Sequence, residues 1–438
     1  MLFSLMGGIA WNIENMYFNT FLFGSIYEGN IIEGVMEPWT AIERMVSLSA
    51  ITAVVTTFIM GALSEKMKKR KVFISIGYIL WGIVTALFGF ISKENVASLL
   101  GITDEKQILV TTVWIVIAMD MLMTFMGSTS NDSAFNAWTT DVTNPVVRPK
   151  VETVLTFVGF VAMAVVMVVG SGAQATNSYT TFFIALGLVV TVCGVVGLFL
   201  LEDPEIKGEK TKSSYWSDLF YGFRPSVIKE NVNLYLALSC VGFYSIAVQV
   251  FFPFLLIYLE KAVLAQNKDI NLLSAPIIIL AVVAVAVLVG GVVVLLKVAG
   301  KNKALSLFPS VICFVVGLFA LSTSTSIYAV LIGIAPTLIG YLVLMIQLNA
   351  SVRDFIPEDK VGLFQGIRMI FAVLLPMVIG PKLGAIACSN SNLTYEEFGQ
   401  IKTLPSPDMF LYAAIVSVLI LIPLAILVKK GVFGKKES

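Results

Sequence analysis

Residues 136–152 read NAWTTDVTNPVVRPKVE, and residues 349–365 read NASVRDFIPEDKVGLFQ. At an offset of 213 they align Asn136 with Asn349, Ala137 with Ala350 and Asp141 with Asp354, with Glu152 facing Gln365. Each stretch closes a long apolar segment with polar and charged residues. Nearer the start of each half the offset is 231, pairing Phe21 with Phe252, Phe23 with Phe254, Tyr27 with Tyr258 and Lys66 with Lys297. The offsets differ by 18, because the loop around 93–107 has almost no counterpart at 322–327. The chain reads as one unit repeated in the same direction.

Each unit holds six apolar segments. Crossing the hydrocarbon of a bilayer as a helix takes roughly 20 apolar residues. Candidates lie near 2–27, 42–64, 72–92, 108–138, 151–172, 178–201, 233–259, 273–297, 304–323, 326–350, 364–388 and 408–429, numbered here spans 1 to 12. Charged residues make up 13% of the chain, against about a quarter in soluble domains. A soluble enzyme is thereby excluded. Helices are expected, because backbone groups in lipid must be satisfied within their own segment. A barrel would instead show alternating stretches of about ten residues. The expected fold class is all-α and integral to the membrane, with an N-terminal half 1–201, a linker 202–232 and a C-terminal half 233–438. Within the linker, the aromatic–polar stretch 214–223 (SYWSDLFYGF) reads as an interfacial segment.

Lysine and arginine in short loops mark the cytoplasmic side. With the N-terminus inside, the inner loops hold 21 of the 29 basic residues. Both termini are therefore expected in the cytoplasm of a multi-pass cell-membrane protein, with the lipid bilayer as its surroundings. The net charge of +1 gives no reason to expect nucleic acid. Cys193, Cys240, Cys313 and Cys388 show no metal spacing and read as small core residues. No nucleophile–base constellation or phosphate loop is visible, so no enzyme and no cofactor is expected, and the protein reads as a monomer.

Ionisable and amide groups inside spans are costly and default to functional hypotheses. Span 1 carries Trp11, Asn12, Glu14, Asn15 and Asn19, with the three asparagines at i, i+3, i+7 on one face. Span 4 carries Asp120 and Asp132, 12 residues or roughly 18 Å apart along a helix, too far to share one ion. Arg368 in span 11 needs an anionic neighbour if buried, with Asp132, Asp141 and Glu152 as candidates. Tyr244, Gln249, Gln347 and Asn349 on spans 7 and 10 are further candidates for solute contact. The bland alternative for all the polar groups is hydrogen bonding between helices.

Two six-helix repeats in parallel resemble the plan of the major facilitator superfamily, in which two halves rock about a central cavity. The stretch GALSEKMKKRK at 61–71 resembles the loop that latches that superfamily's halves on the cytoplasmic side. Gly61, Glu65, Lys66, Lys69 and Arg70 match it, Lys68 replaces the usual second glycine, and Asp141 and Arg148 join the expected latch. The stretch NDSAFNAWTTDVT at 131–143 resembles span 4 of the glycoside–pentoside–hexuronide/cation symporters, the melibiose permease group. Asp132, Phe135 and Trp138 match its acid and aromatics, with Asn136 between them, and Arg368 matches an intramembrane base of its span 11. The resemblance implies a sugar or glycoside as solute, coupled to a cation with Asp132 and Arg368 involved. Glu14 and Asp120, singled out by their depth in spans 1 and 4, join them as coupling candidates. The group's two aspartates in span 2 are replaced by Ala53 and Thr57, which favours protons over sodium. Two alternatives stay open: a carrier of lysolipids or other amphiphiles, and a transporter-like receptor or sensor that moves nothing.

Overall fold

The computed structural model describes residues 1–67, 69–143, parts of 151–170, 179–203, 221–265, 275–323, 325–356, 361–391, 393–397 and 400–432. Among them are ten helices long and apolar enough to cross a membrane: Pro38–Ser64, Arg70–Phe88, Glu105–Thr139, Tyr179–Leu200, Val232–Leu264, Ile277–Gly300, Lys303–Ser322, Ile327–Phe355, Gly366–Asn390 and Asp408–Lys429. These are spans 2 to 4, 6, and 7 to 12. Span 1 begins as an α-helix at Leu2–Ile13 and then alternates with π-helical turns at Glu14–Phe18 and Leu22–Ile26. Of span 5 only part is described, including the apolar helix Val161–Gly170.

The chain divides into two compact units, Met1–Tyr215 and Trp216–Ser438. That division falls inside the expected linker, of which 204–220 lies outside the described residues.

Lipid gives apolar helices little reason to prefer one another to acyl chains, so close backbone approach has to hold the bundle together. In the first unit, spans 3 and 6 meet through glycines. A Cβ at Gly187 would press on Gly82 O and stand 2.5 Å from Ala86 N. One at Gly194 would lie 2.6 Å from Ile79 N and 2.7 Å from Ser75 O. In the second unit spans 9 and 10 do the same: a Cβ on Gly340 would lie 2.5 Å from Phe314 Cβ. An aromatic cluster fills another part of the first unit, with Phe18 stacked on Phe88 at 4.0 Å and edge-on to Phe183 at 5.3 Å. Span 8 differs from all of these. Its valines, among them Val282, Val285 and Val294, are exposed, as suits a helix that faces lipid.

Two local elements depart from the expected all-helical plan with plain loops. The loop after span 3 contains a helix, Lys93–Leu100, started by Ser92, whose side chain accepts from Asn95 N, and stopped by Gly101 at φ 66°. A serine N-cap and a left-handed glycine are standard start and stop signals. Before span 12 the chain forms a two-stranded antiparallel hairpin, Thr394–Glu397 with Gln400–Thr403, with Tyr395 opposite Lys402.

Candidate functional site

The polar face of span 1 is built on its π-helical turn. Widening a helix by one residue per turn frees carbonyls that need new donors, and such turns concentrate at functional sites. Here the asparagine side chains bond back to carbonyls one turn earlier, among them Trp11 O, which also accepts from Glu14 N. Asn12 Nδ2 donates to Gly8 O at 2.7 Å, Asn15 Nδ2 to Trp11 O at 2.7 Å and Asn19 Nδ2 to Asn15 O at 3.0 Å. Thr20 closes the next turn on Tyr17 O at 2.9 Å. Each amide therefore spends one N–H on its own helix and keeps its second N–H and its carbonyl oxygen. Asn19 Oδ1 is enclosed and has no hydrogen-bond partner.

Glu14 starts that turn and is 7% exposed. Its Oε1 lies 2.8 Å from the Thr124 hydroxyl of span 4. The Thr124 hydroxyl lies 3.1 Å from Ser49 Oγ of span 2, and Ser49 Oγ touches Asp120 Oδ2. Asp120 is 2% exposed. Two hydroxyls thus connect two buried acids on different helices. Asp132 stands apart from this chain, in the π-helical segment Ser128–Phe135. It accepts from Ser128 Oγ at 3.2 Å and Asn131 Nδ2 at 3.3 Å. Asn131 Oδ1 in turn lies 2.9 Å from the Tyr78 hydroxyl, which also reaches Phe3 O at 2.7 Å. The hydroxyls of this segment bond back to carbonyls one turn earlier, as with Thr129 on Phe125 O and Ser130 on Met126 O.

Trp11 packs on Trp81 at 5.2 Å, and Phe135 lies between Phe3 and Trp138, each at 6.2 Å. Phe135 is buried, Asn136 is exposed, and Trp138 Nε1 donates to Glu202 O at 2.9 Å. In the second unit the Tyr244 hydroxyl donates to Tyr341 O at 3.0 Å. Gln347 Nε2 donates to Ser306 Oγ at 2.6 Å while its Oε1 is enclosed without a partner. Asn349 Nδ2 returns to Met345 O at 2.8 Å. Gln249 is half-buried and packs where a side chain on Gly380 would stand. Arg368 is half-buried near the end of the helix Val361–Met369, directly before the π-helical segment Ile370–Leu374.

At the ends of spans 2 to 4, Arg70 is the organising residue. It is buried, its Nε lies 3.2 Å from Asp141 Oδ2, and its Nη1 donates to Ser64 Oγ at 2.5 Å. Arg70 has both of these partners within its own unit. Gly61 is half-buried, Lys66 and Lys69 are exposed, and the Glu65 side chain and Arg148 lie outside the described residues. The second unit repeats the device: Lys303, at the start of span 9, pairs with Asp354 near the end of span 10. The repeated pairs differ in burial, with side-chain exposures of 7% and 25% for Arg70 and Asp141 against 28% and 59% for Lys303 and Asp354. Asp141→Ala should therefore cost about 1–3 kcal/mol, less than a fully buried pair because Asp141 is partly solvated. Asp354→Ala should cost about 0–1 kcal/mol. Thermal unfolding of both variants in detergent checks the ranking, and equal losses would contradict it.

Residues 16–381 match the Major Facilitator Superfamily. The chain belongs to that superfamily. No curated protein matches the sequence. Solved structures share the major facilitator fold at low identity. A point mutant of the nucleoside transporter NupG aligns at TM-score 0.65 and 12% identity over 97% of this chain and 98% of its own. The xylose transporter XylE from E. coli, partially occluded and inward open, aligns at 0.61 and 11%, over 98% and 97%. A bacterial homolog of the human lysosomal transporter Spinster, inward-facing and unoccupied, aligns at 0.57 and 11%, over 99% and 95%. This major facilitator protein is a multi-pass membrane transporter and not an enzyme.

Ser49 and Thr124 are the site residues that the sequence reading missed. Thr124 lies four residues after Asp120, on the same helical face, and that spacing was the available signal.

Proposed function

We propose that this chain is a secondary active carrier of a small hydroxylated solute, a sugar or glycoside, driven by protons, as in the melibiose permease group that 131–143 resembles. The observation that carries the solute class is the span 1 amide face. One N–H of each amide is committed to the Gly8, Trp11 or Asn15 carbonyl, so each amide offers a ligand its second N–H and its carbonyl oxygen, the paired donor and acceptor that hydroxyl groups take. Acceptors that lack partners call for a ligand rich in O–H groups, and an enclosed acceptor such as Asn19 Oδ1 is costly until one arrives. Aromatic faces at Trp11, Phe135 and Trp138 suit the apolar faces of a sugar ring. Protons are preferred to sodium because Ala53 and Thr57 stand where the resembled group has its two span 2 aspartates, and sodium favours several oxygen ligands with negative charge among them. The names of the solved relatives carry no weight here, since at such low identity they share only the fold.

Purified protein should gain thermal stability from sugars and not from lysolipids, with no dependence on sodium. A ligand at 100 times its Kd adds about 2.7 kcal/mol. Asn15→Ala and Asn19→Ala should lose that gain while keeping their ligand-free melting temperatures within a few degrees. Stabilisation by lysolipids alone would replace the sugar reading with the amphiphile carrier. Binding without any uptake into proteoliposomes would make the protein a sensor.

A further inference from the structure

Glu14 and Asp120 form an unusual pair. Both are more than nine-tenths buried. One oxygen of each, Glu14 Oε2 and Asp120 Oδ1, is enclosed and has no hydrogen-bond partner. Among the described residues neither acid forms an ion pair with a lysine or arginine. Two isolated carboxylates in a low-dielectric interior are too costly to persist, so positive charge has to be present at the site.

The hydroxyls between the acids set how much. Three oxygen–oxygen contacts run in line: Glu14 to Thr124, Thr124 to Ser49, and Ser49 to Asp120. A hydrogen bond needs one proton per contact, and each hydroxyl owns one. With both acids ionised, the two hydroxyl protons go to the two carboxylates. Thr124 and Ser49 then face each other lone pair to lone pair. With both acids protonated there are four protons for three contacts, and one is left without an acceptor in the line. One added proton fills all three contacts.

We propose that Glu14 and Asp120 hold a single proton between them, passed through Thr124 and Ser49, and that this is the proton the carrier couples to its solute. The proposal rests on the proton-driven reading above and gives it an address. The transfer is balanced. The O–H bond at Asp120 Oδ2 breaks as Ser49 Oγ gains that proton. Ser49 gives its own proton to Thr124 Oγ1, and Thr124 gives its own to Glu14 Oε1. Each hydroxyl ends with one proton, and the negative charge moves from Glu14 on span 1 to Asp120 on span 4. Among the described residues, Asp132 adds its negative charge to the surroundings of Glu14, and the other ionisable groups nearby have partners of their own. Asp132 is held by Ser128 and Asn131, Tyr78 by Phe3 O and Asn131, and Glu43 by Ser47, while Arg44 is exposed over the Trp114 ring.

Infrared difference spectroscopy on the purified full chain, without solute or gradient, counts protonated carboxyls directly. Wild type minus Glu14→Gln/Asp120→Asn at neutral pH should show one carboxylic acid per protein. Zero or two would overturn the proposal, as would loss of the signal when sodium is added at constant pH, which would make the site a sodium site. Ser49→Ala and Thr124→Val cut the line without touching an acid. They should lose proton-driven uptake while solute exchange continues. Undiminished proton-driven uptake in both would also overturn it. The spectroscopic count needs no solute, so it stands if the sugar reading fails. A count of zero beside intact proton-driven sugar uptake would remove this site and leave the proposed function in place.

Discussion

Glu14→Gln is expected to abolish accumulation of solute while leaving exchange intact. One pH unit across the membrane is worth about 1.4 kcal/mol per proton. A carrier moving one proton per solute can therefore concentrate that solute about tenfold under such a gradient, since 1.36 kcal/mol is one power of ten. Glutamine keeps the size of Glu14 and an oxygen that accepts from Thr124, so the bundle has no reason to collapse. What it lacks is the ability to receive the proton from span 4. The accumulation ratio should fall from about ten to about one, and exchange of labelled for unlabelled solute should continue. Accumulation unchanged in the variant would remove Glu14 from coupling. Loss of exchange as well would show a structural or solute-binding role instead.

The second large effect is expected at the contact of spans 3 and 6. Gly187→Leu puts a branched side chain where Gly82 O, Ala86 N and Ala86 Cβ already stand, the last at 2.7 Å from the new Cβ. Two of these three obstacles are backbone atoms, which cannot swing aside as a flexible side chain would. Overpacking a filled interior costs about 1–3 kcal/mol, and separating two helices along a shared seam should exceed that range. Gly290→Leu is the matched control, because nothing lies within 4 Å of its added Cβ. In detergent, Gly187→Leu should unfold well below wild type or fail to accumulate, and Gly290→Leu should melt near it. Equal melting of the two would mean that spans 3 and 6 are not packed as described.

How much of this was legible in the sequence differs by feature. Lipid imposes length and composition on a helix, so the spans and their doubling are written plainly in the apolar runs. The β-hairpin at 394–403 and the helix at 93–100 escaped because they sit in polar loops, where short propensity signals compete with no membrane constraint. The π-helical turns of spans 1 and 4 escaped for another reason. They are accompanied by asparagine, serine and threonine side chains bonding back to their own helix, which leaves the apolar pattern unchanged. The acids Glu14, Asp120 and Asp132 stood out because charge in a span is rare. Their grouping did not. The sequence names all three without grouping them, whereas the hydroxyls of Ser49 and Thr124 connect Glu14 to Asp120. A serine in an apolar helix looks like ordinary packing until its partner is known. Arg70 and Asp141 were both singled out, yet their pairing within one unit could not be read from positions 71 residues apart.

The most direct test of the account is uptake of labelled sugars by the full chain in proteoliposomes, under a pH gradient or an equal sodium gradient. The account predicts accumulation approaching tenfold per pH unit, no accumulation from sodium at constant pH, and loss of both accumulation and the pH response in Glu14→Gln. Sodium-driven accumulation that survives Glu14→Gln, or the absence of any sugar movement in protein that binds and moves lysolipids, would contradict it.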